Sequence, residues 1–138
     1  MNPVLLDSSV IVALLDRRDA GHDRCKQALE LVNRPLMTCE AVVTESCHLL
    51  RHIPGAPEQV LLNLKQGMYG ISFRLSMSVE AIGALMKKYV DTPIDFADAC
   101  LIDMADELNT GDILTLDSDF QHYRWRKTRP FNLLIPLA

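Results

Sequence analysis

The sequence predicts an α/β fold. It should be a three-layer α/β/α arrangement, with a mainly parallel sheet of four or five strands and helices on both faces. Three observations predict it. Short apolar runs such as Val4 to Leu6 and Ile113 to Leu116 have strand length and no polar alternation, as strands buried on both faces do. Longer segments with helical periodicity separate these runs, so that strands and helices alternate. About half of the 138 residues are hydrophobic, which suffices for one core. Residues 1–138 therefore read as one domain, without repeat, linker or low-complexity segment.

The elements follow in order. Val4 to Leu6 is the first strand, and Ser8 or Ser9 caps a helix through Leu15. After a break at Arg17–Gly21, His22 to Val32 places Cys25, Ala28, Leu29 and Val32 on one helical face. Pro35 to Met37 is a second short strand. Thr38 caps the helix Glu40 to Leu50. Pro54–Pro57 punctuates the chain before a helix from Glu58 to Gln66, ended by Gly67 or Gly70. Ile71 to Leu75 alternates as a strand, and Ser78 caps a helix from Val79 to about Tyr89. Asp91-Thr92-Pro93 breaks the chain. Ile94 to Leu108 is the strongest helical pattern, with Phe96, Ala99, Cys100, Ile102 and Ala105 apolar. Ile113 to Leu116 and Phe131 to Ile135 are the last strands.

Composition excludes several classes. A formal charge of −4 argues against binding nucleic acid by bulk electrostatics alone, though a metal and a local basic patch suffice to hold a backbone. The N-terminus has no basic region before its apolar run, and no stretch is long enough to span a membrane. Cys25, Cys39, Cys47 and Cys100 form no CxxC pair, so reduced, mostly buried thiols in a cytoplasmic protein are expected rather than a zinc site.

Four acids carry the functional argument: Asp7, Glu45, Asp98 and Asp117. Asp7 and Asp117 end apolar runs; Glu45 and Asp98 lie within apolar helices. Desolvating one carboxylate is costly, and four gathered together repel, so a cation is expected among them. In open α/β sheets, sites form beyond the carboxyl ends of the strands. Oxygen donors without a His/Cys set favour Mg²⁺ or Mn²⁺ over zinc. Such an ion suits phosphodiester hydrolysis. Asp7 and Asp98 read as principal ligands, Glu45 as a ligand or holder of the attacking water, and Asp117 as a further ligand. Ser8 and Thr115 are expected to hold carboxylates by hydrogen bonds. Taken singly, each acid has a plainer reading. Asp7 and Asp117 are helix caps or turn residues, Glu45 is a solvated helix face, and Asp98 is evenly balanced.

The motifs add to this. Val4-Leu5-Leu6-Asp7-Ser8-Ser9-Val10 resembles the opening motif of PIN-domain proteins. Val43-Thr44-Glu45-Ser46-Cys47-His48-Leu49-Leu50 resembles their second acidic motif, Asp95-Phe96-Ala97-Asp98-Ala99-Cys100-Leu101 the third, and Leu114-Thr115-Leu116-Asp117-Ser118-Asp119-Phe120 the fourth. The chain is most similar to the single-domain bacterial toxins of the VapC group. That resemblance implies a Rossmann-like sheet and a Mg²⁺- or Mn²⁺-dependent endoribonuclease acting on RNA. It also implies a homodimer neutralised by a cognate antitoxin. It places catalysis at Asp7, Glu45, Asp98 and Asp117. Asp119 is a further candidate to share the metal role with Asp117, and Asp95 is expected at the helix start.

Other features have competing readings. Tyr123 to Arg129 is the most basic run, either an exposed connection anchored by Trp125 or a phosphate grip, with Arg124 and Arg126 nearest the RNA. His48 is a helix-surface residue or a proton carrier. Glu58 to Met68 has more apolar surface than one buried stripe needs, so part of it is expected to face a second subunit or an antitoxin helix. Three other activities are weighed. A haloacid-dehalogenase-type phosphatase would use Asp117-Ser118-Asp119, but only 19 residues follow Asp119. A phosphoacceptor signalling domain lacks its acidic pair and late lysine. An inactive PIN-like module binding RNA or protein would not need all four acids.

Overall fold

The computed structural model describes residues 1–92 and 94–137; Pro93, in the predicted break, and Ala138 lie outside the described residues. The main sheet has five parallel strands in the order β3-β2-β1-β4-β7. They are β1 (Val4–Leu6), β2 (Leu36–Thr38), β3 (Gly70–Ile71), β4 (Asp112–Leu114) and β7 (Asn132–Leu133). Between them run α1 (Ser8–Leu15), α2 (His22–Leu31), α3 (Glu40–Leu49), α4 (Ala56–Lys65), α5 (Val79–Lys88) and α6 (Phe96–Leu108), giving the predicted three-layer α/β/α arrangement.

The sheet order positions the site. From β1 the chain builds outward to β2 and β3, then returns to the other side with β4 and β7. The order reverses between β1 and β4, and there the loops beyond the strand ends part to leave a crevice. Asp7 follows β1, and Thr115 and Asp117 follow β4, so the crevice opens among them. Val4, Leu5, Leu6, Ile113 and Leu114 are fully buried, which explains their lack of polar alternation. α6 packs almost all round: Ala97 to Ala105 is buried without interruption.

Several boundaries differ from the sequence reading. Asp7 itself caps α1, because its Oδ1 accepts from Ser8 N at 2.8 Å; Ser8 and Ser9 lie inside the helix. Thr38 ends β2, and its hydroxyl donates to the Leu6 carbonyl at 2.9 Å, leaving the cap position to Cys39. The expected strand at Ile71 to Leu75 shortens to two residues, since a 3₁₀ turn at Leu75–Met77 follows. Ser78 precedes α5 but turns its hydroxyl to Glu107 Oε1 at 3.0 Å rather than capping. The last two strands are also shorter than expected. Phe96, on the apolar pattern of the helix Ile94 to Leu108, is substantially exposed, and so is Met86, whereas Met104 is buried. His22 finds a partner in the Ala13 carbonyl, 2.7 Å from Nδ1. All four cysteines are free, three of them buried.

One element was not foreseen. β5 (Arg124–Trp125) and β6 (Arg129–Pro130) form a small antiparallel hairpin apart from the main sheet. Its turn holds Arg126 at φ 45° and Lys127 at φ 68°. Left-handed backbone costs an L-residue about 1–2 kcal/mol. Glycine or asparagine is the usual choice at left-handed positions, so nothing local advertises the turn. Trp125 seats the hairpin on Gly111, where an added Cβ would lie 2.2 Å from the indole Nε1.

Candidate functional site

Asp7 is the buried centre of the candidate site, only 4% exposed. Its Oδ2 accepts from Thr115 Oγ1 at 2.7 Å and from Ser9 Oγ at 3.0 Å. Both partners are tied to the loop after β4: Leu116 N donates to Ser9 Oγ at 3.0 Å, and Asp117 N to Thr115 Oγ1 at 3.0 Å. The two hydroxyls thus fix the first acid and the approach to the fourth in one network. Glu45 enters from the middle of α3 and is half-buried; its Oε1 accepts from Ser8 Oγ at 3.0 Å. Ser8 and Thr115 hold carboxylates as the sequence suggested. Ser9 does so too and was missed, having been read only as a possible cap.

Asp98 sits in the first turn of α6 and is 6% exposed. Asp95 caps that helix by accepting from Asp98 N at 2.8 Å, the place expected for it. Tyr123 OH donates to Asp98 Oδ2 at 3.2 Å. Tyr123 is the second residue the sequence reading missed: it lies in the basic run, and only the fold carries it back over α6. Asp117 caps the following 3₁₀ turn through Asp119 N, 2.9 Å from its Oδ1. Asp119 is exposed. Asp95 is exposed as well, yet its charge is felt at Glu45, Asp98 and Asp117. His48 is exposed on α3 and lines, with Glu40, Thr44, Glu45, Asp95 and Phe96, an open cleft of about 610 Å³ beside the acids.

The electrostatics show that the acids share one environment. Burial lifts Asp7 above the ordinary carboxylate range, against the hydrogen bonds of Thr115, Ser9 and Ser8, and Asp117 lifts it further. Burial first, and then Asp95, Asp7 and Asp117, push Asp98 up to about 8. Glu45 is raised by burial and by Asp95, Asp7 and Asp117; Asp117 is raised by burial and by Asp119 and Asp95. Among the described residues the one ion pair is Arg34–Asp112, so no lysine or arginine neutralises the group.

Residues 4–126 match the PIN domain family. The chain belongs to that family. A curated relative, Ribonuclease VapC26 of Mycobacterium tuberculosis, is 27% identical over 116 residues, covering 83% of this chain and 86% of the relative. The crystal structure of Mycobacterium tuberculosis VapC20, described as a sarcin–ricin loop cleaving toxin, superposes with a TM-score of 0.81. At 19% identity it covers 92% of this chain and 99% of that one, and it attests the fold. This PIN domain is thus VapC-like in sequence and architecture.

A divalent cation fits the site by charge and donor type. Every candidate donor is a carboxylate oxygen, and each acid is raised by burial first and then by its acidic neighbours. Among the described residues, no group of three or more His, Cys, Asp or Glu side chains is arranged to hold an ion. Asp7, Glu45 and Asp98 instead spend oxygens on Ser9, Thr115, Ser8 and Tyr123.

Proposed function

We propose that this PIN domain is a divalent-metal-dependent endoribonuclease, the toxin of a toxin–antitoxin pair. The observation that carries the reading is the electrostatic coupling of Asp7, Glu45, Asp98 and Asp117 at the sheet's crevice without a cationic side chain among them. The family membership and the ribonuclease activity of the relative VapC26 support it. Asp7, Asp98 and Asp117, with Glu45, would hold Mg²⁺ or Mn²⁺. Bound there, the cation supplies neutralisation of the scissile phosphate and of the charge that develops on it.

The chain's own residues supply the rest. Thr115 and Ser9 fix the orientation of Asp7, so its free lone pairs point the same way through turnover. Glu45 keeps one oxygen unbonded to Ser8 and has a raised proton affinity, which suits it to take a proton from an attacking water. Tyr123 holds Asp98 and keeps its side chain from swinging out of the site. The open cleft beside Glu45 gives an extended RNA strand room to lie across the acids. Purified protein should cleave RNA with added Mn²⁺ or Mg²⁺ and lose that activity in EDTA. Cleavage unaffected by chelation would refute the metal-dependent reading.

Two partners follow. The apolar groove of about 400 Å³ lined by Ile11, Leu14, Leu15, Leu29 and Met68, with Arg17 and Lys26 beside it, suits an amphipathic antitoxin segment bearing acidic residues. Leu61 and Leu62 on α4 are exposed, as the sequence suggested for part of this helix. A second copy suits α5, where Val79, Gly83 and Met86 recur on one exposed stripe, with Val90 exposed just beyond its end. Met77 and Val90 are 74% and 76% exposed. An antiparallel pair crossing at Gly83 would set Val79 against the partner's Met86 and Glu80 against the partner's Lys87, a self-complementary arrangement. Nothing lies within 4 Å of a Cβ added at Gly83, so Gly83→Arg should fold. It should sediment as a monomer where the parent is a dimer; equal sedimentation of the two would remove this interface.

A further inference from the structure

We infer that the β5–β6 hairpin is a rigid cationic platform that binds the phosphate backbone of the RNA several nucleotides from the scissile bond. The inference rests on the ribonuclease reading for its ligand and reaches beyond the acidic site for its surface. Arg126, Lys127 and Arg129 are exposed on this hairpin, and among the described residues none is ion-paired with a carboxylate. In a chain of net charge −4, this is a concentrated positive face.

The hairpin is built to hold its shape. Trp125 is buried on Gly111, and its Nε1 donates to the Pro130 carbonyl at 3.2 Å. Arg126 N donates to Asp106 Oδ1 at 2.6 Å, pinning the turn to α6. Arg124 N donates to Tyr89 OH at 3.0 Å, and Lys88 Nζ to the Lys127 carbonyl at 3.3 Å. The guanidinium groups of Arg126 and Arg129 lie 5.6 and 5.2 Å from the Trp125 ring, which orders both without consuming their hydrogen-bond donors.

The turn is the second observation. It places two basic residues in the left-handed region, where glycine or asparagine would sit at less cost. Strain kept at a position where a relaxed sequence exists points to a use for the side chains themselves. Arg124, which the sequence reading grouped with Arg126, is different. Its guanidinium donates to the carbonyls of Gln121 at 2.8 Å and Tyr123 at 2.9 Å, so it braces the loop and is not offered to a ligand.

Position favours RNA over a protein partner. The strand β5 begins one residue after Tyr123, whose hydroxyl touches Asp98. The turn is pinned at Asp106, eight residues along α6 from Asp98, about 12 Å at helical rise. That is about three or four nucleotides of a stacked strand at ~3.4 Å each. A strand cut at the acids and running along α6 toward Gly111 would meet the hairpin with phosphates about three or four nucleotides from the cut. Arg side chains that pair with phosphate bidentately are suited to hold it there.

The test uses full-length protein carrying Asp98→Asn, so that the RNA stays intact, and a short fluorescein-labelled stem–loop RNA. The triple variant R126A/K127A/R129A should bind at least tenfold more weakly near 0.1 M salt. The slope of log Kd against log salt should fall by about two to three units, one per lost phosphate contact. The double variant R126N/K127G controls for folding: it should melt no lower than the parent, because the turn is relaxed, and still bind RNA more weakly. Unchanged affinity and salt slope in both variants would overturn the platform. So would lost antitoxin capture with RNA binding intact, which would assign the surface to protein. If protein retaining Asp98 failed to cleave RNA with metal but the hairpin variants still lost binding, the ribonuclease reading would fall and the platform would stand.

Discussion

Replacing Asp98 by asparagine is expected to lower RNA cleavage at least about a thousandfold while raising the melting temperature of metal-free protein at pH 8. The first effect follows from removing one anionic donor from a site whose proposed work is to hold a divalent cation. Losing one directed electrostatic contact to the reacting centre commonly costs two to three orders of magnitude, and an absent ligand also weakens cation binding. The second effect has the opposite sign for a physical reason. Asp98 is buried at 6% exposure and faces Asp95, Asp7 and Asp117 without a cationic side chain. An amide of nearly the same shape keeps an acceptor for Tyr123 OH and ends the repulsion. Activity and stability trading in this way is expected where a site is strained for function. A gain of about 5 °C or more in EDTA, with cleavage abolished, is the expected pair of results. Full metal-dependent turnover by the variant would remove Asp98 from the chemistry. A lower melting temperature would show that its carboxylate stabilises the fold.

The gathering of these acids was legible because each sits at a place the backbone fixes. Asp7 ends a fully buried strand, and Asp117 follows another; once β1 and β4 pair in parallel, both must emerge at one edge. Glu45 and Asp98 were legible as polar residues inside apolar helices. The supporting hydroxyls were half legible. Ser8 and Thr115 adjoin the acids in sequence, whereas Ser9 was masked by its capacity to cap, a task Asp7 takes instead. Tyr123 was not legible: its contact with Asp98 spans 25 residues and depends on the turn after Asp117. The hairpin was hidden for a different reason. Its turn violates local preference, with Arg126 and Lys127 where glycine or asparagine would be expected, and tertiary contacts with Asp106 and Gly111 override that preference. Phe96 belongs to the apolar pattern of its helix yet is exposed, because helical periodicity marks an apolar face without saying whether this chain or another covers it.

The metal-free protein should lose stability as pH rises from about 5 to 8, and added Mn²⁺ should restore more of it at the upper end. The ordinary aspartate value is 3.8, and the folded protein holds Asp98 up to about 8. Between those values the folded chain keeps a proton that the unfolded chain has released. Stability then falls with rising pH, since it rises only where the unfolded state binds more protons. Asp7, Glu45 and Asp117 are shifted in the same direction, so they add to the slope. Cation binding acts against it. Ligands must be deprotonated to coordinate, so affinity for Mn²⁺ grows as protons stop competing. The stabilisation it provides grows with the ratio of free metal to Kd. Melting curves in EDTA and in millimolar Mn²⁺ at intervals from pH 5 to 8 should therefore start close together and diverge. Asp98→Asn should reduce the EDTA slope, because it removes one of the groups that keeps a proton across this range. A melting temperature in EDTA that stays level or climbs over this range would mean that the acids are not mutually strained. Parallel curves with and without Mn²⁺ would mean that the cation does not compete for their protons.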